Sequence, residues 1–200
     1  MLRKSFFLSL FLTISITIFS QDSPQRLFLG TSFNIPSSPT SLNYGVGFGL
    51  FEQYEYLLGE HWSLVQVLGF QNINGKEVEE FYENGNINVN YEYFRTVSLQ
   101  LGAGFYFGEG QSTFFILFKG GYSKFWTVDP AYPEVRSSAG DLVKQEILRE
   151  ERNGSFWFFD PKIGWQFDRL QISADYHGTV NQVSQINVYS LSVAYNLIKP

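Results

Sequence analysis

Between residues 27 and 197 apolar and polar side chains alternate in about eight stretches, and the gaps between the stretches are by turns very short and long. Alternation with a period of two sends successive side chains to opposite faces of an extended strand, so it predicts strands with one oily face. Residues 44–58 carry it most clearly, with Tyr44, Val46, Phe48, Leu50, Tyr54, Tyr56 and Leu58 opposed to Gly45, Gly47, Gly49, Gln53 and Glu55. The same parity predicts strands over residues 27–35, 61–72, 87–107, 113–128, 155–167, 170–177 and 186–197. Residues 87–107 are long for one strand, which either rises past its neighbours or bulges at Arg95-Thr96.

Short connections, Gly59-Glu60, residues 108–111 and Asp168-Arg169, alternate with long ones at 36–43, 74–85, 129–153 and 178–185. In an up-and-down arrangement every short turn then falls on one rim, an asymmetry that strands crossing a membrane have and that a barrel in water has no reason to adopt. The longest segment, 129–153, reads as an outward continuation of its two strands turning about Ala139-Gly140; a short helix over 141–152 is the alternative.

The first twenty residues have Arg3 and Lys4, an apolar run from Phe6 to Phe19, and then Ser20-Gln21, which reads as a secretory signal peptide, leaving residues 21–200 as one domain. Without Arg3 and Lys4, 12 basic residues face 19 acidic ones, a net charge of −7, which excludes a phosphate-binding role toward nucleic acid. Cysteine is absent, so disulfides, thiolate metal sites and a Cys nucleophile are excluded as well. No mature segment approaches 18 continuous apolar residues, so helical spanning is excluded.

The choice is between a water-soluble barrel with its oily face inward and a membrane barrel with that face outward. The face opposite the oily one is dominated by Gly, Ser, Gln and Asn, side chains small enough to fill an eight-stranded lumen, and lacks the Lys and Glu expected of a wetted surface. Its few charges are Glu92, Lys119, Asp160, Lys162 and Asp175, of both signs, and are expected to form an interior polar network. Aromatic residues gather near both strand ends: Tyr54, Tyr56, Trp62, Phe105, Phe107, Trp165 and Tyr195 at one rim, and Tyr44, Phe70, Tyr91, Tyr93, Tyr122, Trp126, Trp157, Tyr176 and Tyr189 at the other. Two such girdles match the two headgroup zones of a bilayer. The expected fold is all-β, an eight-stranded antiparallel up-and-down transmembrane β-barrel, with Leu64, Leu99, Ile172 and Leu191 pointing out to lipid.

With this patterning, and with a closing strand Tyr189-x-Leu191-x-Val193-x-Tyr195-x-Leu197, the chain resembles the small outer-membrane barrels of Gram-negative bacteria, the OmpA/OmpX type and the porin-like outer-membrane β-barrel domains. The resemblance implies the cell outer membrane, contact with its lipid and lipopolysaccharide, and external loops that meet an extracellular ligand or surface. It departs from the family in ending on Ile198-Lys199-Pro200 and not on an aromatic residue. Some relatives deacylate lipid A with a His-x-Ser pair; His61-Trp62-Ser63 has the spacing but sits at the short-turn rim, while Gly178-Thr179 follows His177, so both histidines are expected to be ordinary rim residues. Glu77, Glu79, Glu80 and Glu83 lack the ordered oxygen spacing of a calcium loop. No catalytic, cofactor or metal site is expected, and the expected role is a non-enzymatic surface or envelope protein. The rivals are a lipid-A-modifying enzyme and a secreted lipocalin-like carrier.

Overall fold

The structure, a computed structural model, describes residues 24–37, 40–82, 85–108, 112–131, 134–136, 142–145, 148–180 and 187–198. In chain order the strands are β1 (Gln25–Pro36), β2 (Tyr44–Leu57), β3 (Trp62–Gly75), β4 (Glu77–Tyr82), β5 (Gly85–Asn90), β6 (Tyr93–Phe107), β7 (Ser112–Ala131), β8 (Glu134–Arg136), β9 (Leu142–Gln145), β10 (Leu148–Phe167), β11 (Leu170–Thr179) and β12 (Asn187–Asn196). Eight of them close into an antiparallel barrel in the order β1-β12-β11-β10-β7-β6-β3-β2, and β4-β5 and β8-β9 form two separate ribbons. Closure is made by β1 against β12, from Phe28 opposite Asn196 to Pro36 opposite Val188. A closed ladder leaves no open edge, the condition for backbone polar groups to lie in hydrocarbon.

The alternation decides which side chains face lipid. Leu64, Leu99, Ile172 and Leu191 are 52%, 40%, 47% and 59% exposed, and their sequence neighbours Ser63, Ser98, Gln171 and Ser192 are buried in the lumen. The connections sort by rim as the sequence predicts, with both ribbons on the long-loop side and residues 58–61 and 168–169 among the turns on the other. Asp168 takes a positive φ of 50° in its two-residue turn, a conformation that Asp tolerates better than most residues.

Three expectations are corrected. The long strand over 87–107 is two, broken at Tyr91-Glu92: residues 85–90 pair with 77–82, so the acidic stretch after Asn74 is a ribbon and not an open loop. Gly75 makes the break possible, since any side chain there would collide with the Tyr91 carbonyl. Tyr44 does not join the outer girdle, because a register shift between Tyr44 and Gly47 turns it into the lumen, where its hydroxyl lies 2.7 Å from Thr127 Oγ1. That threonine gives its own proton to the Tyr93 carbonyl at 2.8 Å, so Tyr44 is the donor. Third, His177 is buried within the barrel and is not a rim residue. Of the two readings of 129–153, the structure has the outward continuation of the two strands and not the helix wherever those residues are described, with Leu148 opposite Ala131. The signal segment 1–20, the turn at Ala139-Gly140 and the final Lys199-Pro200 lie outside the described residues.

One irregularity falls in mid-barrel. The β10-β11 register passes from Phe159 opposite Gly178 to Lys162 opposite Asp175, skipping Pro161, which has no N–H to give to the ladder.

A cation placed on the belt should cost according to its depth. Leu191→Arg, near mid-strand, is expected to destabilise the barrel by about 2–4 kcal/mol in lipid vesicles, and Leu197→Arg at the short-turn rim by about 0–1 kcal/mol. Urea-dependent refolding followed by the shift between folded and heated bands measures both.

Candidate functional site

Among the described residues the lumen is where the fold gathers chemistry-bearing side chains, and it is layered. At the long-loop mouth Tyr44, Ile73, Phe94, Phe156, Phe158 and Val188 pack into an apolar plug, with Tyr91 and Phe125 against it. Near the short-turn end Val65, Val67, Tyr106, Phe115 and Leu117 form a second apolar cluster flanked by Phe51. The charged layer lies between them. Inward parity alone predicts polar filling, and two apolar residues of 113–128 break it because Phe115 and Leu117 serve this inner cluster.

Lys119 on β7 and Asp160 on β10 are register partners, and their charged ends meet at 3.2 Å with both side chains almost wholly buried. Asp175 on β11 stands opposite Lys162 on β10; it accepts a hydrogen bond from Ser192 Oγ at 3.2 Å, while Lys162 Nζ donates to Gln53 Oε1 at 3.3 Å and lies 4.5 Å from the Phe51 ring centre. The four expected lumen charges on β7, β10 and β11 are thus neighbours. Glu92 is not among them: it lies beyond the end of β6 and pairs with Arg149 at the outer rim. A charge just before a strand has no fixed parity, which is why counting by twos misplaced it.

A second group continues the network toward the short-turn end. Gln53 Nε2 donates to Glu55 Oε1 at 2.6 Å, and Tyr106 donates a short hydrogen bond to the other carboxylate oxygen. The Arg26 guanidinium carbon lies 4.8 Å from the Tyr106 ring centre and its Nη1 donates to Gln166 Oε1 at 3.3 Å. Inward parity marks Gln53 and Glu55, but β1, β2, β6 and β10 meet here only through barrel closure. Among the described residues, Arg26, Lys119 and Lys162 therefore balance Glu55, Asp160 and Asp175.

A cavity of about 30 Å³ touches this layer at Ser98, Gln100, Asp160, Lys162, Asp175 and Ser190. Gln100 Oε1, Asp160 Oδ1 and Ser190 Oγ around it are buried without a protein partner. That is room for about one or two waters, and polar enough to hold them. It is too small for a solute.

Among the described residues, neither histidine is paired with a serine nucleophile. His177 stacks on Phe158 at 3.7 Å between ring centres, and its Nδ1 is 4.0 Å from Asp160 Oδ2, too long for a hydrogen bond. His61 Nδ1 and Ser63 Oγ are both buried without partners, so they are not bonded to each other. Among the described residues no group of three His, Cys, Asp or Glu side chains is placed to hold a metal.

No protein-family model and no curated protein matches the chain. Among solved structures it is similar to Neisserial surface protein A, at 12% identity and a TM-score of 0.52, over 86% of this chain and 95% of that one. The fold is that of the small eight-stranded outer-membrane β-barrels. Similarity extends to Ail, the attachment invasion locus protein of Yersinia pestis (14% identity, TM-score 0.47, 88% of this chain and 100% of that one), and to the N-terminal β-barrel domain of Pseudomonas aeruginosa OprF (11%, 0.45, 86% and 97%). The apolar belt on its outward face is the side that a transmembrane barrel of this fold turns to lipid.

The Lys119–Asp160 pair is expected to show the asymmetry of buried ions. Asp160→Ala or Lys119→Met alone should cost about 3–5 kcal/mol by stranding the other charge, whereas Lys119→Met with Asp160→Leu should recover most of that loss. Refolding titrations of the three variants measure it.

Proposed function

We propose that the protein is a non-enzymatic outer-membrane scaffold whose ribbons β4-β5 and β8-β9 act at the cell surface, in contact with an external ligand or with the surrounding lipopolysaccharide. The observation that carries this reading is the division of labour along the barrel axis. The lumen is closed by an apolar plug above the charged layer and a second apolar cluster below it, so it serves packing and not passage. What the strands carry beyond the belt is by contrast elaborate. β7 and β10 continue together as a paired extension to Ala131 and Leu148, and Arg149–Glu92 and Arg152–Glu150 tie charged side chains at the outer rim.

A plugged lumen predicts silence in planar-bilayer recordings, with no discrete conductance steps in concentrated KCl. A lipid-A-modifying role would need a base beside its nucleophile, and no such pairing is found at either histidine among the described residues. His61→Ala and His177→Ala are accordingly expected to leave lipid A acylation, read by mass spectrometry, unchanged.

The surface role is tested by shortening. A chain in which residues 132–147 are replaced by a tight turn is expected to fold and to show the band shift of a closed barrel. In a strain lacking the protein, restoration of bile-salt resistance by the full chain but not by the shortened one supports action through the ribbons. Equal restoration by both would reject a role for β8-β9, and equal restoration by a chain in which residues 77–90 are replaced as well would reject the ribbons in favour of the barrel wall alone.

A further inference from the structure

The outward face of β2 runs Val46, Phe48, Leu50, Glu52, Tyr54, Tyr56 and, just past its end, Leu58, so a carboxylate interrupts the belt at its centre. Five residues separate Glu52 from the end of β2 at Leu57, placing it roughly 13 Å above the strand end at the rise and tilt usual for barrel strands. That depth is near the middle of an apolar band about 25 Å tall. Glu52 stands opposite Leu29 on β1 and Leu68 on β3, both apolar. One step along β3, opposite Tyr54, Gln66 also faces outward. Neither Glu52 nor Gln66 has a hydrogen-bond or ion-pair partner among the described residues.

An ionisable side chain in a bilayer interior is costly and is ordinarily turned away from lipid and paired with another polar group. The wall around this pair is also concave. A hollow of about 490 Å³ bounded by Leu29, Glu52, Leu68 and Val97 lies beside Glu52, and one of about 300 Å³ bounded by Tyr54, Leu64 and Leu101 lies beside Gln66. We propose that this face of β2, β3 and β6 is the contact surface for a second copy of the chain, held by reciprocal Glu52–Gln66 hydrogen bonds between the copies. The complementarity of the pair selects that occupant. A carboxylate needs a donor and a carboxamide supplies one, and the two sit side by side on neighbouring strands. A two-fold axis along the membrane normal, passing between them, keeps each residue at its depth and brings Glu52 of each copy against Gln66 of the other, the self-matching contact of a closed dimer. The outward cations of the barrel do not offer an alternative, because Arg95 is engaged by Asn72 and the Tyr93 ring and Lys124 lies beside Trp126 toward the outer rim.

The inference rests on the lipid-facing reading of the belt. Since the chain has no cysteine, single cysteines can be placed at will. Leu68→Cys lies beside the proposed axis, and Ile163→Cys lies on the far wall. Oxidation of outer membranes carrying the full chain is expected to give a disulfide dimer for Leu68→Cys and none for Ile163→Cys. Adding Glu52→Leu or Gln66→Leu should lower the yield roughly five- to tenfold, as expected from losing two modest hydrogen bonds in a membrane. Glu52→Gln keeps an acceptor oxygen and should retain the dimer. The unheated-gel shift identifies variants that still fold, and either Leu variant suffices. Equal yields at both cysteines, no dimer, a cross-link to a protein of another mass, or a yield indifferent to both Leu variants would each overturn the proposal. Carbonate extraction of the same membranes separates the two readings: a chain that washes out overturns the belt and the dimer together, and one that stays without cross-linking overturns the dimer alone.

Discussion

Everything in this molecule follows from the need to pair each backbone N–H and C=O in a medium that offers no water. A strand can do so only with neighbours on both sides, so the sheet must close, and β1 against β12 supplies that closure. Closure with eight strands fixes a narrow lumen, and the narrow lumen selects Ser, Gln, Asn and Gly for much of the inward set. The outward set is then free to be as oily as the bilayer demands.

Period-two patterning made the strands, their two faces and the sorting of turns by rim legible before any coordinates, because those features depend on residues one or two apart. Misreadings begin where distant segments decide. The inward turn of Tyr44 depends on a bulge against β3, and the break at Tyr91-Glu92 depends on residues 85–90 finding 77–82. Lys119, Asp160, Lys162 and Asp175 could be read as lumen residues from parity, but Glu55, Tyr106 and Arg26 meet only because the wall curves back on itself. Glu92 and His177 were misplaced in opposite directions, one set inside and found at the rim, the other set at the rim and found inside.

The layered lumen also shows how a thin-walled barrel accommodates ions. Each charge is given a carboxylate, amide, hydroxyl or aromatic face, and the unpaired oxygens of Gln100, Asp160 and Ser190 border a space sized for water. Such a network adds little net stability compared with an apolar filling but makes the arrangement of strands specific, because a slipped register would part Lys119 from Asp160. Pro161 removes a ladder bond in the same layer, so the side chains there share in holding β10 against β11.

The contrast between buried and exposed ion pairs carries a last consequence. The interior pair is shut away from counterions, whereas Arg149–Glu92 and Arg152–Glu150 stand in solvent and are weakened as electrolyte rises. Salinity therefore acts on the outer rim and hardly on the middle of the lumen. A brackish or dilute habitat would loosen or tighten the surface appendages while the spanning wall stays indifferent, making the outer rim the part of the protein tuned by its surroundings.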